Sequence, residues 1–154
     1  MIYDDYGHHP NEIKATLLSL KKSYPENKII LFFQPHRYSR TYELYNDFIN
    51  ALTITDVLFI LPIYSASEDN IYNLNSEKLV SDCKKILNKS FLMPIEDSFI
   101  KNNLNKNIIK KFINHAENVI NESINNNILL FQGAGNISFI ANNLKEEKKH
   151  KNYA

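Results

Sequence analysis

A rhythm constrains this chain more than any single residue does. Short, unbroken apolar runs alternate with longer stretches whose apolar residues recur every three or four positions. Lys28–Phe33 (KIILFF), Val57–Leu61 (VLFIL) and Asn127–Gln132 (NILLFQ) are the clearest runs. A strand that is apolar at every position meets apolar neighbours on both faces, as in a parallel sheet sandwiched between helices. The periodicity predicts helices over Pro10–Ser23, Tyr42–Ala51, Ser76–Leu87, Ile108–Ile124 and Ile137–Leu144. A stub at Met1–Tyr3 and a short strand at Phe91–Met93 complete the set. The expected fold is α/β: a three-layer, Rossmann-like open sheet, mostly parallel, with helices on both faces. One domain is expected over 1–144, and the charged tail 145–154 is expected to fray.

Composition matters here by exclusion. The net charge is +1, so no strong field draws the chain to nucleic acid. The longest near-continuous apolar stretch, Val57–Tyr64, is far shorter than the roughly 20 residues a membrane helix needs. A lone cysteine, Cys83, suits a reducing compartment, and MIYDDYGHHP has no secretory leader pattern. The expected location is the cytoplasm, without membrane insertion.

The scarce residues mark the chemistry. Only two of the 18 basic residues are arginine, and both, Arg37 and Arg40, lie in Gln34-Pro35-His36-Arg37-Tyr38-Ser39-Arg40. A guanidinium fork holds a carboxylate or phosphate by two hydrogen bonds, which an ammonium cannot do. Arg37 and Arg40 would share a face if the segment turned helically, with His36 beside them. All three glycines sit in two turns, Asp4-Asp5-Tyr6-Gly7-His8-His9-Pro10 and Gln132-Gly133-Ala134-Gly135-Asn136.

The first turn offers a polar ligand wall of Asp5, Tyr6 and His8; one of its aspartates and His9 fit better as turn and helix-capping groups. Neither a second cysteine nor an H-x-x-x-H pair completes a metal shell, so no metal site is expected in this chain. Gly133, Gly135 and Asn136 read as a tight structural turn rather than a dinucleotide fingerprint, because Ser138 stands where a third glycine belongs. No G-x-x-x-x-G-K-[ST] phosphate loop occurs. Each special segment follows a strand and precedes a helix. In an open parallel sheet such loops gather along the carboxyl edge, where ligands bind.

DDYGHHPNEIKATL (4–17), FQPHRYSRT (33–41) and QGAGNI (132–137) together resemble, in order and spacing, the C-terminal domain of the Mur ligases. The resemblance is to the branch that adds L-alanine to UDP-N-acetylmuramate in peptidoglycan biosynthesis. It implies an ATP-dependent amide ligase that works with magnesium through an acyl phosphate. It further implies that this domain closes over UDP-sugar and ATPase domains lying outside this chain, and that the piece alone is inactive. Carried over by residue, Arg37 and Arg40 would clamp the alanine carboxylate with His36 beside it. Tyr6 and His8 would line the amino-acid pocket, and Asp5 would lie near the nucleotide. Tyr64–Asn70 (YSASEDN) departs from the proline- and glycine-containing loop of the family. Two alternatives stay open: a non-catalytic module binding a small carboxylate or nucleotide, and the related ligase that recycles tripeptide.

Overall fold

The structure, a computed structural model, describes residues 1–94, 106–124 and 126–151. In chain order the elements are β1 (Ile2–Asp5), α1 (Pro10–Ser23), β2 (Ile29–Phe33), α2 (Tyr38–Glu43), α3 (Tyr45–Leu52), β3 (Val57–Ile60), α4 (Ser76–Lys84), β4 (Ser90–Leu92), α5 (Lys106–Ile120), β5 (Ile128–Gln132) and α6 (Ser138–Lys151). Five strands form one sheet in the order β1-β5-β2-β3-β4, and every neighbouring pair is parallel. The α/β expectation holds.

Strand alternation sends side chains to two separate cores. Ile29, Leu31 and Phe33, with Leu58, Ile60, Ile128 and Leu130, pack against Ile13 and Leu17 of α1, Phe48 of α3 and Leu79 of α4. Ile30 and Phe32, with Phe59, Leu129 and Phe131, pack against Ile109 and Phe112 of α5 and Ile140 and Leu144 of α6. Three helices therefore cover one face and two the other, and a strand clothed on both sides must be apolar throughout. Phe32 is stacked between Phe59 and Phe131, with ring centroids 5.1 and 4.8 Å away.

Several boundaries differ from the sequence reading, each for a local reason. β1 is a full strand rather than a stub; it runs on to Asp5 because it pairs with β5. The expected loop Gln34–Thr41 turns helical from Tyr38. The expected single helix Tyr42–Ala51 is instead two, with Leu44 at the join at φ −108°, ψ 24°. α5 stops at Ile120, and Asn121 follows in the left-handed region at φ 53°, a common way to end a helix. α6 runs past Leu144 to Lys151, into the charged tail; Lys and Glu are good helix formers, and no Gly or Pro intervenes. Asn152–Ala154 of that tail lie outside the described residues. Among the described residues no helix is long and apolar enough to cross a membrane.

Candidate functional site

The strand register puts the three special segments on one line. Gln132, the last residue of β5, pairs with Asp5 of β1 on one side and Phe33 of β2 on the other. All three strands thus end together, and the chain beyond each leaves from the same rim. β5 is the last strand made yet lies between the first two, so the reversal in strand order falls at this rim.

The loop after β1 is held from inside. The Asp5 carboxylate accepts from Gly7 N at 2.9 Å, Thr16 Oγ1 at 2.6 Å and Gln132 Nε2 at 2.9 Å. The first of these is the Asx turn the sequence suggested, and the other two tie the loop to α1 and β5. His9 caps α1: its Nδ1 accepts from Asn11 N at 3.2 Å. Glu12 accepts from His8 N and His9 N, both at 2.9 Å, and these two bonds hold its carboxyl below the usual carboxylate range. With Asp5, His9 and Glu12 committed, Tyr6 and His8 are the loop's outward groups. Tyr6 is 71% exposed, and its ring meets His8 edge-on at 5.4 Å.

The loop after β2 carries the arginines. Arg37 has φ 72° and ψ 137°, a conformation that costs a residue with a side chain about 1–3 kcal/mol. Its backbone is pinned: its N–H donates to Tyr64 O at 2.8 Å, and its carbonyl accepts from Thr41 N at 3.2 Å and Thr41 Oγ1 at 2.8 Å. Among the described residues its guanidinium makes no hydrogen bond or ion pair. Arg40 lies one turn into α2, with Nη1 3.4 Å from His36 Nδ1. Arg37 caps the helix rather than riding on it, so the shared helical face expected for the two arginines gives way to a capping residue and a helical one.

Two residues the sequence reading did not single out as site residues brace this loop. Tyr64 pairs with His36 in an isolated parallel bridge, and its ring stacks on the His36 ring at 5.4 Å. Glu68 accepts from Ser39 N at 3.1 Å and Ser39 Oγ at 2.7 Å, at the start of α2; these bonds lower its pKa. Glu68 arrives on a turn in which Ala66 and Ser67 both have positive φ (50° and 68°). The signal available beforehand was position: this acidic loop follows β3, so it leaves from the same edge.

The glycine turn is structural. Gln34 donates through Nε2 to Asn136 Oδ1 at 2.9 Å and accepts through Oε1 from Ile137 N at 3.1 Å, stitching the β2 loop to the β5 turn. A Cβ on Gly133, whose φ is +146°, would lie 2.6 Å from the Gln34 backbone oxygen, and one on Gly135 would strike Gln34 Oε1.

An aromatic line results. Tyr6, His8, His36 and Tyr64 follow one another, with the two imidazole centroids 5.6 Å apart and Arg40 Nη1 beside His36. Burial comes first, and then neighbouring positive charge, Arg40 foremost, in holding the His36 pKa below its ordinary value, so this ring is neutral near pH 7. The arrangement offers cationic forks and polar rings to a small anion. Among the described residues no group of three or more His, Cys, Asp or Glu side chains is placed to hold a metal ion.

The Mur ligase family model described as "Mur ligase, glutamate ligase domain" matches residues 1–135. The chain belongs to the Mur ligases. As a Mur ligase domain it is 40% identical, over 98% of its length, to UDP-N-acetylmuramate–L-alanine ligase of Buchnera aphidicola subsp. Acyrthosiphon pisum (strain Tuc7), of which it covers 28%. It is 39% identical, over 97% of its length, to the like-named ligase of Persephonella marina, covering 29% of it. The crystal structure of the UDP-N-acetylmuramate-alanine ligase of Thermotoga maritima matches with a TM-score of 0.58 at 25% identity, over 95% of this chain and 26% of that one. A domain from Haemophilus ducreyi, at 17% identity and a TM-score of 0.53, shares the fold. The chain spans under a third of the curated relatives it matches.

Proposed function

We propose that this chain is the C-terminal, amino-acid-binding domain of an ATP-dependent ligase that joins L-alanine to UDP-N-acetylmuramate in peptidoglycan biosynthesis. The observation that carries the reading is the rim itself: Arg37 and Arg40 share a loop with a neutral His36, whose ring lies against His8 and, through it, Tyr6, on a domain of this family. Two guanidiniums and a neutral N–H donor match the two oxygens and in-plane lone pairs of an α-carboxylate. The relatives at 38–40% identity, all named as L-alanine ligases, support alanine over tripeptide as the amino-bearing partner.

ATP and magnesium would supply the activation of the muramate carboxylate. The described residues do not fit a site for either: they lack a phosphate loop and a metal-ligating cluster, and the Asp5 carboxylate, which the family resemblance put near the nucleotide, is filled by three internal donors. We therefore assign no residue of this chain to holding ATP. Asp5 instead anchors the loop that presents Tyr6 and His8. The domain's contribution is orientation and charge, holding the amino acid while a surface closes over it. Its work is done in the cytoplasm, and the chain alone forms no amide.

The test is to splice this chain in place of the matching segment of the Buchnera ligase and follow alanine-dependent phosphate release. Activity with L-alanine, absent from the isolated chain, supports the reading. A folded splice that turns over equally well with and without alanine contradicts it.

A further inference from the structure

An amino acid at neutral pH is a zwitterion, and its ammonium nitrogen has no lone pair with which to attack a carboxyl carbon. A site that couples an amino acid must therefore hold a carboxylate and also relieve an ammonium of one proton. The hydrogen bonds of its two histidines separate these tasks. His8 Nδ1 lies 3.1 Å from the Tyr6 carbonyl oxygen. A carbonyl can only accept, so Nδ1 carries the hydrogen, and the neutral ring keeps its lone pair on Nε2. At His36 the polarity is reversed. The neighbour of its Nδ1 is Arg40 Nη1, which can only donate, so Nδ1 is the acceptor and Nε2 bears the hydrogen. Adjacent His9 does not compete for the proton, because its accepting nitrogen, Nδ1, is already used in capping α1. Two rings 5.6 Å apart thus present opposite faces, an accepting Nε2 on His8 and a donating Nε2–H on His36.

We infer that His8 receives the amino end of the bound amino acid through Nε2 and takes its proton, while His36, Arg37 and Arg40 hold the carboxylate. This inference rests on the amino-acid-binding function proposed above. In the step, one N–H bond of the ammonium breaks and its electron pair stays on nitrogen as the nucleophilic lone pair. The proton passes to His8 Nε2, and the resulting imidazolium keeps its Nδ1–H on the Tyr6 carbonyl. The half-exposed ring then returns the proton to water. The polarity also discriminates: a carboxylate without an amine satisfies His36 and the arginines but leaves His8 untouched.

Long-range ¹H–¹⁵N spectra of this chain with ¹⁵N-histidine and ¹⁵N-arginine read both rings and both forks directly. The expected result is the Nδ1–H tautomer at His8 and the Nε2–H tautomer at His36. L-alanine should then shift His8 Nε2 together with the arginine and His36 signals, and propionate should shift only the latter. An Nε2–H tautomer at His8, or equal shifts of His8 by alanine and propionate, overturns the inference and leaves the proposed function standing. Neither ligand moving His36 or the arginines contradicts the function itself. In the spliced ligase, His8→Gln keeps an acceptor but cannot carry a proton. Its kcat should fall roughly 10²- to 10⁴-fold, with the alanine KM within a few-fold. An unchanged kcat overturns the proton step.

Discussion

Arg37 carries a stability cost in its backbone and, in the proposed function, the grip on a carboxylate in its side chain. A non-glycine residue at φ 72° persists only where the surroundings over-determine it, here through Tyr64 and Thr41. The residue is exposed, and its guanidinium makes no hydrogen bond or ion pair among the described residues. Arg37→Gly should therefore raise the stability of the chain by about 1 kcal/mol, read by chemical unfolding, as relief of strain outweighs glycine's entropy cost. The same change should abolish alanine binding. A loss of more than 1 kcal/mol of stability would show that the side chain supports the fold. Cys83 behaves oppositely: it is fully buried on α4, and burial pushes its thiol up to about 12. It should resist alkylation in the native chain at pH 8 and react at once in denaturant. The scarcity of arginine made Arg37 and Arg40 legible in the sequence. The strained backbone did not show, because nothing in a residue's identity predicts a φ that tertiary contacts impose.

At the scale of elements, α1 and the three central strands could be read closely, because capping groups and unbroken apolar runs are local signals. His9 and Glu12 satisfy the exposed N–H groups at the start of α1, and Pro10 fits its first turn. α2 could not be read, because its six residues are held by Glu68, a partner far along the chain. The geometry of the glycine turn yields an ordering. Gly133→Ala sets a Cβ against a backbone oxygen at a positive φ, whereas Gly135→Ala meets the end of the Gln34 side chain, which can swing aside. Gly135→Ala should cost roughly 1–3 kcal/mol, for overpacking and the lost Gln34 bonds. Gly133→Ala should cost more. Thermal unfolding of the two variants checks this; the reverse order would show that the turn does not rest on the Gln34 backbone.

The whole molecule shows why dispersed motifs make one site. The fold brings β5 between β1 and β2, so residues about 130 positions apart share a rim. That convergence was predictable once strands and helices were seen to alternate; the loop from Tyr64 to Glu68 was placed at the rim by its position after β3, but its contacts with His36 and Ser39 had no local sequence signal. Titration also acts at this scale. Glu12, Glu68 and Glu122 are held below their ordinary values by hydrogen bonds, as is Asp82, chiefly by Lys85. Each contributes stability that is present above its unfolded value, roughly 4.3 for the glutamates and roughly 3.9 for Asp82, and lost as the pH falls through the folded one. His36, lowered by burial, has the same sign: the unfolded ring takes its proton first, so stability is lost below roughly pH 6.5. Asp4, raised by burial, works the other way. The melting temperature should hold from pH 8 to 7 and then decline gradually, because exposed carboxylates are screened. A rise toward pH 5 would contradict this balance.

The claim on which the account turns is that the paired guanidiniums grip the acid group of an amino acid. The most direct measurement is the pair of Michaelis constants, for alanine and for ATP, in the spliced ligase carrying Arg37→Lys. A point charge in place of a fork should raise the alanine constant at least tenfold and leave the ATP constant within about two-fold. An alanine constant left unchanged, or both constants raised equally, would contradict it.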